Sequence, residues 1–429
     1  MKKIRILVFG LMCVQPVAAQ RIAPAPAQTA PVVLVGATLH VGNGRVIAPS
    51  VVRFDKGVIT YAGPAADYRQ SNQGAQVIDV TGKHIYPGLI AANTQLGLNE
   101  IELVRATHDY AEVGDFNACV RSLVAYNTDS RIIPTIRNNG ILLAQIVPMG
   151  GRIAGTSSVV QLDAWNWEDA AYQADNGIHL YWPSYFRYRW TSMGAEVGPD
   201  SLYERNVQRI KDFFQEAFSY LNKPAPEVPN LNFEAVRGLR EGRQKLFIHC
   251  NYVREIIHAV QWALDASIRP VIVGGRDAHL CTDLLRQHNI PVLLLDAHSL
   301  PPYPDSDIEL PYKTAALLRE AGVTYGLTTS GFWQVRNLPF MAGTTVAYGV
   351  PYEDAVASVT WSVAKILGID DRTGTVEPGK DANLLVVSGD LLDMRTSQVE
   401  AAYIQGRAIS LDDAQRQLYR IFKEKYGLR

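Results

Sequence analysis

The sequence predicts an α/β fold: a distorted (β/α)8 barrel of the TIM type beside a small composite β-sandwich domain built from both chain ends. The first observation is that apolar β runs alternate with helical stretches from residue 89 to residue 370. Such alternation favours parallel pairing in βαβ units, and about eight units close a barrel. The second is that short β segments flank this region, at residues 32–88 and 371–410. A doubly wound open sheet is the alternative, but no Gly-rich phosphate turn follows a first strand.

The predicted barrel strands are short apolar runs, and the predicted helices are longer amphipathic stretches between them. The runs are "ILLAQIVP", "GIHLYW", "KLFIHC", "PVIVGG", "PVLLLDAH" and "VTYGLTTS". The clearest helices are "SLYERNVQRIKDFFQEAFSYL", "NYVREIIHAVQWALDA" and "HLCTDLLRQHN", and residues 411–429 predict a C-terminal helix. In the N-terminal β region, Lys56-Gly57 lies where a hairpin turn is expected.

Composition and charge exclude several classes of protein. The chain has 429 residues, 47% of them hydrophobic and 19% charged, which suits a well-packed globular protein and not a disordered one. The formal net charge is −1. With no basic field, nothing in the charge indicates a nucleic-acid partner.

The N-terminus predicts export. Residues 1–19 combine three basic residues, a short apolar run and the small-residue site "VAA", as in a cleaved signal peptide. The apolar run is too short to span a bilayer, so we expect a periplasmic or secreted protein without membrane insertion of the mature chain. "GLMC" is a poor lipobox, and whether Cys13 carries a lipid is left open. Cleavage after Ala19 leaves 38 basic and 42 acidic residues.

Two further features concern the mature chain. Residues 20–31, "QRIAPAPAQTAP", are rich in Pro and Ala and predict a mobile leader. The remaining cysteines, Cys119, Cys250 and Cys281, are odd in number and widely spaced. They argue against a disulfide framework or a zinc cluster and are expected to be buried small hydrophobes.

The stretch "YPGLIAANTQLGLN", residues 86–99, holds the first candidate site residues. A Pro-Gly turn leads into an apolar strand that ends in polar residues. Because strand side chains alternate between faces, Asn93 and Gln95 are expected to point the same way. A His-x-His pair in that place would bind a metal, whereas these two side chains are neutral amides.

Two long motifs carry a family resemblance. They are "GKHIYPGLI", which enters the first barrel strand, and "AVASVTWSVAKILGIDDRTGTVEPGKDANLLVV", residues 355–387. Through them the chain resembles the amidohydrolase superfamily and, within it, the imidazolonepropionase-like branch, although Asn383 stands where that family usually has Asp. The resemblance implies a distorted barrel beside a composite β-sandwich. It also implies one or two divalent metals, Zn or another, at the carboxyl ends of the barrel strands.

The resemblance also shows which ligand positions this chain has changed. Asn93 and Gln95 replace the two first-strand histidines, and Ser330 stands where the strand-eight aspartate is expected. On strand six the histidine position falls near Val273 or Gly274, and neither is a ligand. An amide oxygen is a weak, neutral ligand.

Strand five keeps the family's histidine as His249. Its neighbour Cys250 must then point away, toward the helices. A lone histidine binds metal weakly, so we expect no tightly bound metal.

Two functions stay open at this point. The first, implied by the resemblance, is hydrolysis of non-peptide C–N bonds such as those of cyclic amides, with Asp296 or His298 as the nearby base. The second is a non-catalytic protein that binds a small polar molecule or pairs with an active amidohydrolase paralogue. Its pocket would be lined by Asn93, Gln95, His249 and Ser330. The substrate and the oligomeric state are not determined by the sequence.

Overall fold

The computed structural model describes residues 23–191, 194–223, 227–301 and 305–428. The predicted signal peptide, with Cys13, lies outside these residues. No helix in these four ranges is both long enough and apolar enough to cross a membrane.

The strands fall into three groups along the chain. The first group is β1 (Val32–Val35), β2 (Thr38–His40), β3 (Val46–Ile47), β4 (Ser50–Asp55), β5 (Val58–Pro64), β6 (Gln76–Asp79) and β7 (His84–Pro87). The second group is β8 (Leu89–Thr94), β9 (Ile141–Ile146), β10 (Ile153–Gln161), β11 (Ala171–Tyr181), β12 (Phe186–Thr191), β13 (Gly194–Pro199), β14 (Lys245–Cys250), β15 (Pro270–Gly274), β16 (Val292–Leu295) and β17 (Tyr325–Thr328). The third group is β18 (Leu384–Ser388), β19 (Gln398–Ile404) and β20 (Arg407–Ala408).

The helices lie mainly between the strands of the second group and after them. They are α1 (Ile133–Arg137), α2 (Trp167–Ala170), α3 (Tyr203–Leu221), α4 (Leu231–Ala235), α5 (Arg237–Arg240), α6 (Val253–Asp265), α7 (Thr282–Gln287), α8 (Leu310–Glu320), α9 (Leu338–Ala347), α10 (Tyr352–Ser358), α11 (Trp361–Leu367) and α12 (Ala414–Lys425).

Eight strands form the barrel, in the order β17-β16-β15-β14-β11-β10-β9-β8, and the predicted fold class is confirmed. Between the two ends of this sheet, the Thr328 hydroxyl on β17 donates a hydrogen bond to the Ala92 carbonyl on β8. Apolar side chains fill the lower interior, among them Ile90, Leu143 and Phe247.

One barrel strand does not follow the predicted parallel pattern. β10 pairs antiparallel with both β9 and β11. The other neighbouring strands pair in parallel: β8 with β9, β11 with β14, β14 with β15, β15 with β16, and β16 with β17. The connection from β10 to β11 covers only residues 162–170. A parallel crossover needs about a dozen residues or more, so this short connection makes a hairpin.

Strands from both chain ends share one sheet beside the barrel. Its order is β20-β19-β18-β7-β2-β3, and β18 joins β7 in antiparallel register. A second sheet, β5-β4-β1-β6, lies against the first through a common apolar cluster that includes Leu34, Phe54, Ile85 and Leu384. These contacts fit a composite domain, whose limits at 32–88 and 371–410 stay a prediction.

The described part of the predicted leader makes hydrogen bonds with the body of the protein. The Ala25 amide donates to Asp163 Oδ2 at 2.8 Å. The Gln28 side chain donates to the Phe54 carbonyl at 3.0 Å and accepts from the Gly57 amide at 2.9 Å. These contacts place residues 25–28 against the body of the protein, and the mobility of the leader stays a prediction.

Candidate functional site

The first strand ends with a backbone turn at Asn93. Its φ is 52°, in the left-handed region, which Asn tolerates better than most residues. The pairing register with β9 shifts between Ala91 and Thr94, and β8 stops one residue before Gln95. The expectation that Asn93 and Gln95 share one strand face by simple alternation is therefore wrong, because alternation needs continuous extended backbone.

Gln95 nevertheless approaches the segment that follows the last barrel strand. The backbone N–H of Gln95 donates to the Gly331 carbonyl at 3.3 Å, and the Thr94 hydroxyl donates to the same carbonyl at 2.7 Å. Gly331 directly follows Ser330. Asn93 and Gln95 are each only 6% exposed, so both amides are buried under the mouth of the barrel.

His249 forms a pair with a histidine that sequence reasoning missed. His179 Nδ1 lies 2.9 Å from His249 Nε2. His179 is fully buried and stacks on Phe247 with ring centroids 4.7 Å apart, and Tyr181 stacks on His249 at 4.1 Å. Both histidines thus point into the barrel from adjacent strands, β11 and β14. The two-residue alternation within "GIHLYW" could have identified His179, since His179 and Tyr181 lie on one face.

Burial sets the protonation state of this histidine pair. It lowers the pKa of His249 to about 3. It also lowers the pKa of His179 well below its usual range, and the neighbouring His249 adds to that effect. Both rings are therefore neutral at physiological pH, so one nitrogen donates and the other accepts.

Ser330 is held by a carboxylate at the end of β16. Both its amide and its hydroxyl donate to Asp296, at 3.0 Å to Oδ1 and 2.9 Å to Oδ2. The Thr329 hydroxyl donates to Asp296 Oδ1 at 2.8 Å. Three donors thus fix Asp296. His298, the other base considered, is exposed and contacts Thr344 of α9 through Nε2 at 2.6 Å.

A chain of buried polar side chains runs inward from Asn93. The backbone N–H of Asn93 donates to Gln145 Oε1 at 3.2 Å, and Gln145 Nε2 donates to the Ser157 hydroxyl at 3.1 Å. Ser157 in turn donates to Asn176 Oδ1 at 2.8 Å. Asn93 Oδ1 and His179 Nε2 are buried and find no hydrogen-bond partner among the described residues. Buried polar atoms are nearly always paired, so these two atoms keep an unused capacity for a hydrogen bond.

The residues at the mouth do not fit the divalent metal that the fold family implies. Val273 and Gly274 pair in register with His249 and Cys250, so the strand-six position carries no ligand. The His249 Nε2 atom is already engaged by His179. Within the described ranges, no group of three or more His, Cys, Asp or Glu side chains is arranged to hold a metal ion.

The cysteine predictions have mixed outcomes. Cys250 lies in the cluster between barrel and helices, facing away from the interior as predicted, and Cys281 is buried too. Cys119 is exposed, which corrects the expectation of burial. It lies in the long segment after β8, where no regular element encloses it.

Comparison with known sequences supports the resemblance. The family model described as "Amidohydrolase family" matches residues 153–409. The chain is 21% identical over 390 residues to amidohydrolase tasK of Hapsidospora irregularis, covering 83% of this chain but only 39% of that protein. It is 24% identical over 362 residues to an imidazolonepropionase of Mesorhizobium japonicum, covering 77% of this chain and 84% of the relative.

Solved structures show the same fold. An amidohydrolase from Thermotoga maritima superimposes with a TM-score of 0.74 at 23% identity, covering 88% of this chain and 99% of that one. An adenosine deaminase from Xanthomonas campestris, solved with bound zinc, gives a TM-score of 0.53 at 16% identity, covering 94% and 98%. The predicted family resemblance is thereby confirmed.

Proposed function

The chain belongs to the amidohydrolase family, of the imidazolonepropionase-like kind, and we propose that it binds a small neutral polar molecule at the mouth of its barrel. In this proposal the divalent-metal activation of water that the family resemblance implies is not used. The four binding residues are Asn93, Gln95, His249 and Ser330.

The observation that carries the proposal is the bond between His179 Nδ1 and His249 Nε2. A strand-five histidine that serves as a metal ligand needs a ring nitrogen free to donate its lone pair to the ion. Here one of the two ring nitrogens, His249 Nε2, is shared with a second, fully buried imidazole. Nearby, the first strand offers neutral amides and not imidazoles, and both oxygens of the Asp296 carboxylate already accept hydrogen bonds from Thr329 and Ser330.

The unpaired atoms favour a particular ligand chemistry. Asn93 Oδ1 is a buried acceptor without a donor, and His179 Nε2 is a buried ring nitrogen without a partner. A ligand with an N–H beside a carbonyl, such as a cyclic amide, supplies a donor and an acceptor together. Neither of these two unpaired atoms belongs to a charged side chain. A neutral ligand therefore fits better than an ionic one.

A second candidate is hydrolysis of a C–N bond with Asp296 as the base. The observation that favours it is that Asp296 lies at a strand end of the mouth with φ of 49°, and unusual backbone conformations are concentrated at functional sites. In that reaction the carboxylate takes a proton from water as the water oxygen attacks the carbonyl carbon. The protonated carboxyl then returns the proton to the leaving nitrogen as the C–N bond breaks. Both carboxylate oxygens of Asp296 already accept hydrogen bonds from Thr329 and Ser330, so we rank this function second.

We propose export because of the N-terminal sequence. We propose pairing with an active paralogue because most of the metal ligands that the family resemblance implies are missing. For export, N-terminal sequencing of the protein from a periplasmic or secreted fraction should start near Gln20. A mature protein that retains Met1 would remove the localisation proposal.

The binding proposal is tested by calorimetry with a simple cyclic amide, hydantoin, before and after treatment with a chelator. We expect saturable binding that the chelator does not change. Asn93→Gly keeps the left-handed backbone and removes the amide, and should weaken binding about tenfold, the value of roughly one hydrogen bond. Asn289→Gly is the matched control, because Asn289 is exposed and has the same φ of 52°. Binding lost with the chelator, or equal loss in both variants, would contradict the proposal.

A further inference from the structure

A second cavity lies at the end of the barrel opposite the mouth. Its volume is about 500 Å³, and its lining includes Pro24, Ser130, Arg131, Arg137 and Asp163. Arg137 ends α1 shortly before β9 begins, and Asp163 follows the end of the antiparallel strand β10. Both positions are at the amino-terminal end of the parallel strands. The cavity is therefore separate from the site at the barrel mouth.

Arg137 is a buried guanidinium with one edge unused. It is 4% exposed. Its Nη1 atom donates to the Leu162 carbonyl at 3.2 Å and to Asp163 Oδ1. Its Nε atom is buried and has no hydrogen-bond acceptor in the part of the chain that the structure describes. A buried donor without an acceptor is costly, so the Nε edge of a residue that lines a cavity indicates a missing partner.

The buried charges around Arg137 come from two guanidinium groups and two carboxylates. Asp163 is the carboxylate that Arg137 contacts, and it is shared with Arg407, whose Nη1 lies 2.8 Å from Asp163 Oδ2. Asp163 Oδ2 also accepts the Ala25 amide. Two guanidinium groups thus share one carboxylate. A second buried carboxylate, Asp413, accepts a hydrogen bond from Asn138 Nδ2 beside the cavity. The buried layer therefore holds two guanidinium groups and two carboxylates, and on the exposed rim Arg131 and Asp129 offset each other in formal charge.

We propose that this cavity binds a small monocarboxylate, with a carboxylate oxygen accepting a hydrogen bond from Arg137 Nε. A planar carboxylate matches the edge of a guanidinium. Asp163 and Asp129 disfavour a dianion such as phosphate by repulsion. This site is independent of the proposed function at the mouth, because neither its residues nor its ligand are shared with it.

The test is a thermal-unfolding titration with sodium acetate, compared with sodium chloride at equal ionic strength. Ligands that bind only the folded state raise Tm with a saturable dependence on concentration. We expect a saturable rise of a few degrees with acetate and not with chloride. Arg137→Lys keeps a positive charge beside Asp163 but removes Nε, and should abolish the acetate-specific rise. Arg121→Lys is the matched control, because Arg121 is partly exposed and ion-paired with Asp175 at 2.8 Å.

An equal rise with chloride, or a full acetate response in Arg137→Lys, would overturn the proposal. If Arg137→Lys does not fold, the unmodified protein still gives an answer. Crystals soaked in 4-bromobenzoate should show an anomalous bromine peak in this cavity, with the carboxylate facing Arg137. Bromine peaks only at other places, or none, would also overturn it.

Discussion

His179 Nδ1 lies 2.9 Å from His249 Nε2, so imidazoles on two adjacent barrel strands share one hydrogen bond. This relationship changes the meaning of the one family histidine that the sequence retains. His249 is therefore not an isolated histidine at the mouth of the barrel. It is half of a neutral pair, buried on one side by Phe247 and Tyr181, and the pair gives the mouth a fixed hydrogen-bonding pattern.

The first prediction concerns the stability that this pair contributes. His179→Leu removes the partner of His249 and leaves a ring nitrogen unpaired near the mouth. We expect the free energy of unfolding to fall by about 1–3 kcal/mol, measured by urea denaturation at pH 7.5. His288→Leu is the control, because His288 is exposed after α7, and it should change stability by less than about 0.5 kcal/mol. Equal stability of the two variants would show that the pair contributes nothing.

The second prediction is a pH dependence of stability. The folded pKa values of His179 and His249 lie below the usual value near 6.5, so the unfolded state binds more protons than the folded one below that pH. The stabilisation is fully present above about pH 6.5 and is lost as pH falls from there toward 3, by up to about 1.4 kcal/mol per pH unit for each histidine. Urea midpoints at pH 7.5, 6.0 and 5.0 measure it. His179→Leu should show a shallower slope over this range, and an unchanged slope would contradict the assignment.

The third prediction distinguishes the two candidate functions at the mouth. Asp296→Asn keeps the side-chain size and tolerates the left-handed backbone, but it replaces one acceptor oxygen by a donor facing Thr329 or Ser330. Stability should fall by about 1–3 kcal/mol, and hydantoin binding should persist in the folded fraction. In contrast, if the unmodified protein hydrolyses hydantoin and Asp296→Asn abolishes turnover while binding is retained, then hydrolysis with Asp296 as base replaces simple binding as the function.

The fold could be predicted from sequence because its signals are local or patterned. Alternating apolar runs and helices predicted the barrel, and two long motifs predicted the family. Local signals failed where a longer-range constraint acts. The antiparallel pairing of β10 follows from its short connection to β11.

The site was less predictable than the fold for the same reason. The four residues Asn93, Gln95, His249 and Ser330 were chosen by position, and their ligand-binding role stays a prediction. The left-handed φ of Asn93 and the partner His179 were not found. Both depend on the geometry between strands, which alternation within one strand does not determine.

The fourth prediction is that restoring the first-strand histidines does not restore a metal site. The double variant Asn93→His, Gln95→His adds two imidazoles, but strand six still carries Val273 and Gly274 and His249 still bonds His179. Zinc affinity, measured by competition with a chromophoric chelator, should remain about micromolar or weaker. Nanomolar zinc affinity in the double variant would mean that tight binding needs neither a ligand on strand six nor a His249 free of His179, which would contradict this prediction.

Elemental analysis of the unmodified protein tests the central claim most directly. The protein should be purified without added metal and without chelator. The contents of zinc, manganese, iron and cobalt and the protein concentration should then be measured in the same sample. The donor set at the mouth predicts far less than one equivalent of these metals per chain. One tightly held metal per chain, retained through dialysis and lost in His249→Ala, would contradict the account and would make metal-dependent hydrolysis the leading function.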